Sequence, residues 1–147
     1  VVNRHDHAQT GAVMAFRILD KMGMDPADVA AVITAIGHHD DSTAFPVNPV
    51  AAALILADKT DVRRSRVRSK DRQHFDIHDR VNYAAERSDL SLERDDGTIT
   101  LTLTINTEFC AVMDYFEIFL ERMLLCRRAA EHLGLQFKLV INGLALL

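Results

Sequence analysis

The chain has no tryptophan, two tyrosines, three prolines and two cysteines in its 147 residues. Two cysteines cannot form the disulfide framework of a small secreted domain. Cys110 and Cys126 are sixteen residues apart on a segment that reads as one helix, a separation of about 24 Å, so they cannot bridge each other. Unbridged thiols fit a reducing, cytoplasmic setting. No stretch approaches the roughly 18 consecutive apolar residues of a membrane-spanning helix, so no membrane partner is expected. The opening residues, Val1-Val2-Asn3-Arg4-His5-Asp6, hold no apolar secretory core and no initiator methionine. The chain is therefore expected to be either a truncated or processed piece or a degenerate form with an incomplete site. Basic character is missing too: the formal net charge is −4, which argues against general nucleic-acid binding.

What is present is ordinary globular material, 48% hydrophobic and 26% charged, enough for one self-sufficient core. Helical spacing of Ala12, Ala15, Phe16, Leu19 and Met22 predicts a helix over 10–22, stopped by Gly23. Asp25-Pro26 is a helix start, with Asp25 as cap and Pro26 in the first turn. Val29, Val32, Ile33 and Ile36 are expected to face inward, and the helix ends near Gly37-His38-His39. Asn48-Pro49 opens a third helix, with Val50, Ala53, Leu54 and Ala57 expected inside. A short helix is expected over 76–87. Leu90 and Leu92, then Ile99, Leu101, Leu103 and Ile105, alternate with polar residues about Asp95-Asp96-Gly97, a β-hairpin pattern. A long helix over 108–133 carries Phe109, Val112, Phe116, Phe119, Met123 and Leu133 on one side, with Met113, Leu120, Leu124 and Leu125 beyond it. Apolar residues on so much of its girth imply cover on two sides, one by the sheet and one by a second subunit. A last strand covers 137–141. The fold class is thus α+β, with a helical unit over 1–87 and a ββαβ unit over 88–147 for packing or dimerisation.

Three groups could carry chemistry. His7 stands at a helix start, His38-His39-Asp40-Asp41 at a helix end, and Asp58 on the third helix beside Leu54, Ile55 and Ala51. On that face Asp58 points inward, where a carboxylate must be paired or bound to a metal. Taken singly, an interior Asp such as Asp58 is more often a salt-bridge partner than a ligand, and the histidine pair reads as a helix-end dipole interaction with a solvent-facing neighbour. Together, imidazoles and a carboxylate suit a divalent ion such as Fe, Mn, Zn, Co or Ni. Such an ion polarises a phosphoryl oxygen and activates water. The segment 59–72 holds seven basic residues, Lys59, Arg63, Arg64, Arg66, Arg68, Lys70 and Arg72. They form either a solvated face or a phosphate-recognition site, for which Lys59, Arg63 and Arg66 are the nearest to Asp58 in sequence. Aromatic residues are not interleaved among them, so nucleic acid is the weaker ligand.

The strings His7-x-x-x-Gly11-Ala12, Ala35-Ile36-Gly37-His38-His39-Asp40 and Leu54-Ile55-Leu56-Ala57-Asp58-Lys59 resemble, in order and spacing, the later motifs of HD-domain metal-dependent phosphohydrolases. The resemblance covers about residues 4–87. It implies a helical bundle in which Asp58 corresponds to the family's late metal-binding Asp, His7 to the His of the HxxxG string, and His38 and His39 to its histidine pair. It also implies a divalent metal, Mg included, and catalysis centred on Asp58 with Lys59 beside it. The family's early His and His-Asp dyad normally precede the HxxxG string, and only six residues precede it here. His5-Asp6 is a literal dyad set too close to His7, and His78-Asp79 follows Asp58 and reads as a helix-start pair. The expected function is hydrolysis of a nucleotide or other phosphate ester, with a small phosphorylated substrate and a homodimer as partners. The alternative is a non-catalytic HD-like module that binds a phosphorylated ligand or assembles subunits.

Overall fold

The computed structural model describes residues 5–40, 43–67 and 75–147. Its order is α1 (His7–Lys21), α2 (Pro26–Gly37), α3 (Pro49–Lys59), a 3-10 turn (Arg64–Arg66), α4 (Ile77–Ala84), β1 (Ala85–Glu93), β2 (Thr98–Ile105), α5 (Val112–His132), β3 (Gln136–Ile141) and β4 (Leu144–Ala145). The fold is mixed α+β, as its alternation of 3.6- and 2-residue periods predicts.

Side-chain caps set three of the helix starts. The Asp25 carboxylate accepts from the Ala27 N–H at 2.8 Å, Asn48 Oδ1 from Ala51 at 2.7 Å, and Asp76 Oδ1 from Asp79 at 2.7 Å. Each satisfies an N–H that the first turn leaves without a helical acceptor. Gly23, at φ 74°, ends α1 in a conformation that other residues adopt with difficulty.

The four strands lie in the order β1-β2-β3-β4. β1 and β2 form an antiparallel hairpin, α5 crosses over to place β3 parallel to β2, and β4 folds back on β3. Ile99, Leu101, Leu103 and Ile105 of β2 are buried with Phe137, Leu139 and Ile141 of β3. Against them α5 sets Tyr115, Phe119, Met123, Cys126 and Ala130, a stripe spaced by three or four residues. Ala52, Ile55 and Leu56 of α3 and Val81 and Ala84 of α4 complete this core. Asn142, at φ 51°, prolongs the ladder with its side chain, accepting from Ile105 N–H at 2.8 Å and donating to Ile105 O at 2.9 Å.

Four local expectations are corrected. In α3 the inward face is Ala51, Ala52, Ile55, Leu56 and Lys59, whereas Val50, Ala53 and Ala57 are exposed. The run Val50-Ala51-Ala52-Ala53-Leu54-Ile55-Leu56-Ala57 is apolar around its whole circumference, so spacing alone cannot choose its phase. In α1 the inward residues are Ala8, Gly11, Ala12, Ala15 and Leu19, and both Phe16 and Met22 face outward. The fourth helix stops at Ala84 because Ala84 O accepts from Asn106 N–H at 2.9 Å, drawing the chain into the sheet. α5 starts at Val112, four residues later than its apolar pattern suggests. Asn106 Oδ1 accepts from Glu108 N–H at 3.0 Å and holds that stretch in a turn. The helix begins where the Asp114 carboxylate accepts from Ala111 N–H at 3.3 Å.

Among the described residues no helix is long and apolar enough to cross a membrane. Replacing Leu139, fully buried at the centre of the sheet, by Ala should lower unfolding free energy by about 3 kcal/mol in urea titrations, because the strand cannot close the cavity. Met113→Ala on the outer side of α5 should change it by less than about 0.5 kcal/mol.

Candidate metal centre

The four residues between α1 and α2 turn the chain back on itself, so the start of α1 lies beside the end of α2. Small residues let the two helices approach closely. A Cβ added at Gly11 would meet Ile36 Cγ2 at 3.3 Å, and one at Gly37 would meet Ala12 Cβ at 3.9 Å. Ala8, one turn before Ala12, is fully buried. This approach brings His7, the first residue of α1, to His39 beyond the end of α2.

The two rings stand edge to face, with centroids 5.0 Å apart and planes at 82°. His7 Nε2 and His39 Nε2 are 3.2 Å apart. The other ring nitrogen of His39, Nδ1, donates to Ile36 O at 2.6 Å. That bond assigns the neutral ring's proton to Nδ1 and leaves the Nε2 lone pair aimed at His7. His38 uses its Nδ1 in the same way, donating to Thr34 O at 2.9 Å. Both imidazoles thereby bind carbonyls in the last turn of α2, Thr34 O accepting from the His38 backbone N–H at 3.1 Å as well.

Two nitrogens bound to one transition-metal ion at about 2.0–2.1 Å are separated by roughly 2.9–3.4 Å, for angles between octahedral and tetrahedral. The His7–His39 separation falls inside that interval, so the pair fits two adjacent positions of a coordination sphere. Without an ion the same contact is a hydrogen bond from His7 Nε2–H to His39 Nε2. Among the described residues, no three His, Cys, Asp or Glu side chains converge closely enough to hold a metal. The pair alone supplies two ligands.

The remaining candidates form two further groups. Asp58 is not the inward residue of α3. Its side chain is 34% exposed, and Lys59, only 4% exposed, bends back to reach Asp58 Oδ2 at 2.6 Å. The buried ammonium is thus matched by a carboxylate at the rim, which removes the cost of leaving it unpaired. Arg63 and Arg66 share one carboxylate. Arg63 Nε lies 2.7 Å from Asp61 Oδ1, and Arg66 Nη1 lies 3.0 Å from Asp61 Oδ2 and 3.2 Å from Asp61 O. Asp61 is the member of this group that sequence reasoning passed over. Its signal was an acid two and five residues ahead of the two arginines, close enough to be clasped in a short turn. Arg64 faces elsewhere, donating to Tyr83 O at 2.8 Å and stacking its guanidinium 4.4 Å from the Tyr83 ring centre. Asp41, Arg68, Lys70 and Arg72 lie outside the described residues. The two literal His-Asp dyads sit apart from the pair's facing nitrogens: His5 and Asp6 are exposed ahead of α1, and His78-Asp79 occupies the first turn of α4.

The arrangement defines an α+β protein with a two-imidazole centre at a helix-hairpin end and a rim of paired cations. In comparisons with known proteins, no family model, no curated protein and no solved structure matches this chain.

The close approach at Gly11 has a direct consequence. Gly11→Leu should force α1 away from Ile36 and separate the two rings. Ring-proton cross-relaxation between His7 and His39, strong in the parent chain at neutral pH, should vanish in Gly11→Leu and persist in Gly37→Ala.

Proposed function

We propose that this chain is a divalent-metal phosphohydrolase of the HD type, acting on a nucleotide or another small phosphate ester. The observation that carries the proposal is the 3.2 Å approach of His7 Nε2 to His39 Nε2, with His39 held by its second nitrogen. Two imidazole nitrogens at this spacing, one ring oriented by its second nitrogen, are a donor pair that suits a transition metal. In this reading His7 and His39 hold the ion, and His38 and Asp58 are the further ligands that the resemblance implies. The ion, when bound, supplies polarisation of a phosphoryl oxygen and activation of water.

The chain's own residues do the rest. His39 keeps its Nε2 lone pair directed inward because Ile36 O occupies Nδ1. Asp58 presents a carboxylate at the rim, and Lys59 balances its charge. Arg63 and Arg66 already converge on the two oxygens of one carboxylate. Planar guanidinium forks donate to phosphate oxygens in the same geometry, so a phosphate group would compete with Asp61 for them. Cys110 and Cys126 are buried and in no disulfide, which suits the cytoplasmic setting of this reading.

A second reading, a non-catalytic module that binds a phosphorylated ligand, is favoured by the convergence of only two ligands among the described residues. One set of measurements separates the two. The purified chain should take up Mn2+, Zn2+ or Ni2+ in calorimetric titration, and His7→Ala and His39→Ala should each weaken binding by about tenfold or more. Asp58→Asn should reduce metal-dependent hydrolysis of p-nitrophenyl phosphate at least about a hundredfold. Metal binding with no hydrolysis would select the binding module. If neither metal uptake nor its loss in the histidine variants is seen, the metal centre itself is refuted.

A further inference from the structure

We propose that β1 is a homodimerisation edge, at which two copies pair their β1 strands antiparallel about a two-fold axis passing through Leu90.

β1 is an outer strand of the sheet, and β2 is the only described strand paired with it. Nine residues long, it is well beyond the short edges with which monomeric sheets limit self-pairing. It also carries apolar side chains. Leu90 is opposite Leu101 and Leu92 opposite Ile99, so both leucines lie on the sheet face that α5 and α3 cover. Leu101 is fully buried and Ile99 nearly so, yet Leu90 and Leu92 remain 41% and 48% exposed. Among the described residues the core's apolar face therefore runs out to this edge with its last two side chains half exposed.

Charge selects the occupant. The strand and its flanks read Glu86-Arg87-Ser88-Asp89-Leu90-Ser91-Leu92-Glu93-Arg94. An antiparallel pairing centred on Leu90 sets each residue against its mirror position in the second copy. Arg87 then faces Glu93, Ser88 faces Leu92, and the two Leu90 side chains meet on the axis. Because of the two-fold symmetry, every opposite-charge pair occurs twice. A dyad one residue earlier opposes Asp89 to Asp89, and one residue later opposes Asp89 to Glu93 twice. Like charges directly opposite each other are destabilising. The sequence is thus complementary to itself in one register and repulsive in the adjacent ones.

The intrachain contacts of these residues leave them accessible. Arg87 pairs with Asp89, both substantially exposed, and the Glu93 carboxylate accepts from Ser91 at 2.6 Å and Thr100 at 3.2 Å. Those hydroxyl bonds, Ser91 foremost, hold Glu93 below the usual carboxylate range, so it stays ionised for a partner's arginine. A β-bulge between Ala85 and Arg87 marks the end of the regular edge. The paired copies would form one continuous eight-stranded sheet. This inference is independent of the metal centre.

Light scattering over about a hundredfold range of concentration should show a mass rising to twice that of the chain. Leu90→Cys should cross-link two copies under mild oxidation, whereas Leu92→Cys, set against Ser88, should not. The native thiols do not confuse the result: Cys126 is buried, and burial together with the Asp114 carboxylate pushes Cys110 up to about 11, leaving it protonated and unreactive. Arg87→Glu and Glu93→Arg should each weaken the dimer by about tenfold, and combining them should restore it. Unchanged far-UV dichroism confirms that each variant is folded. A mass that stays monomeric at every concentration overturns the proposal. So does a dimer that Leu90→Cys fails to cross-link, or one indifferent to both charge reversals, since such a dimer uses another surface.

Discussion

Burial of one sheet face beneath α5 is the constraint on which most of this molecule depends. β2 and β3 are parallel, so the chain must leave the sheet at one end and re-enter it at the other. α5 makes that return while pressing its Tyr115–Phe119–Met123–Cys126 stripe onto Ile99, Leu101, Leu139 and Ile141. α3 and α4 then pack beside α5 and close the core. The Tyr115 hydroxyl reaches the Met123 sulfur at 3.3 Å, and burial raises its pKa far above the ordinary tyrosine value. Such a group stays neutral and serves packing.

α1 and α2 contribute nothing to that central core. Their association depends on backbone approach, through Ala8, Gly11 and Ala12, more than on large buried side chains. The chemistry of the candidate centre rests on this association, since His7 belongs to one helix and His39 follows the other. Small residues at the contact set a separation at which two imidazoles can share a point. Bulkier ones would keep each helix intact and dissolve the centre. The cation rim behaves differently. Lys59, Arg63 and Arg66 all lie within a few residues of the carboxylates they bind, so local chain geometry is enough to assemble it.

Several elements were legible because the signal is local. Asp25-Pro26 and Asn48-Pro49 cap helices through a side-chain oxygen within three residues. The alternation around Asp95-Asp96-Gly97 produces a hairpin because a turn and two period-2 runs require nothing distant. The phase of α3 was not legible, because a segment apolar on every side offers no preferred face until α5 supplies one. For the same reason Asp58 was assigned inward, although Lys59 holds that position. The start of α5 was misplaced because apolar spacing continues through residues that Asn106 captures in a turn.

The residues by themselves determined the kinds of element, most of their boundaries, and which side chains are chemically able to bind a metal or a phosphate. Those properties follow from interactions spanning a few residues. Tertiary structure alone decided that His39 rather than its neighbour meets His7, and that Leu90 and Leu92 remain half exposed on the outer strand of the sheet. Each outcome is set by packing between segments: a helix–helix separation of a few ångströms, or the reach of one helix across a sheet. No periodicity within a single segment encodes such distances.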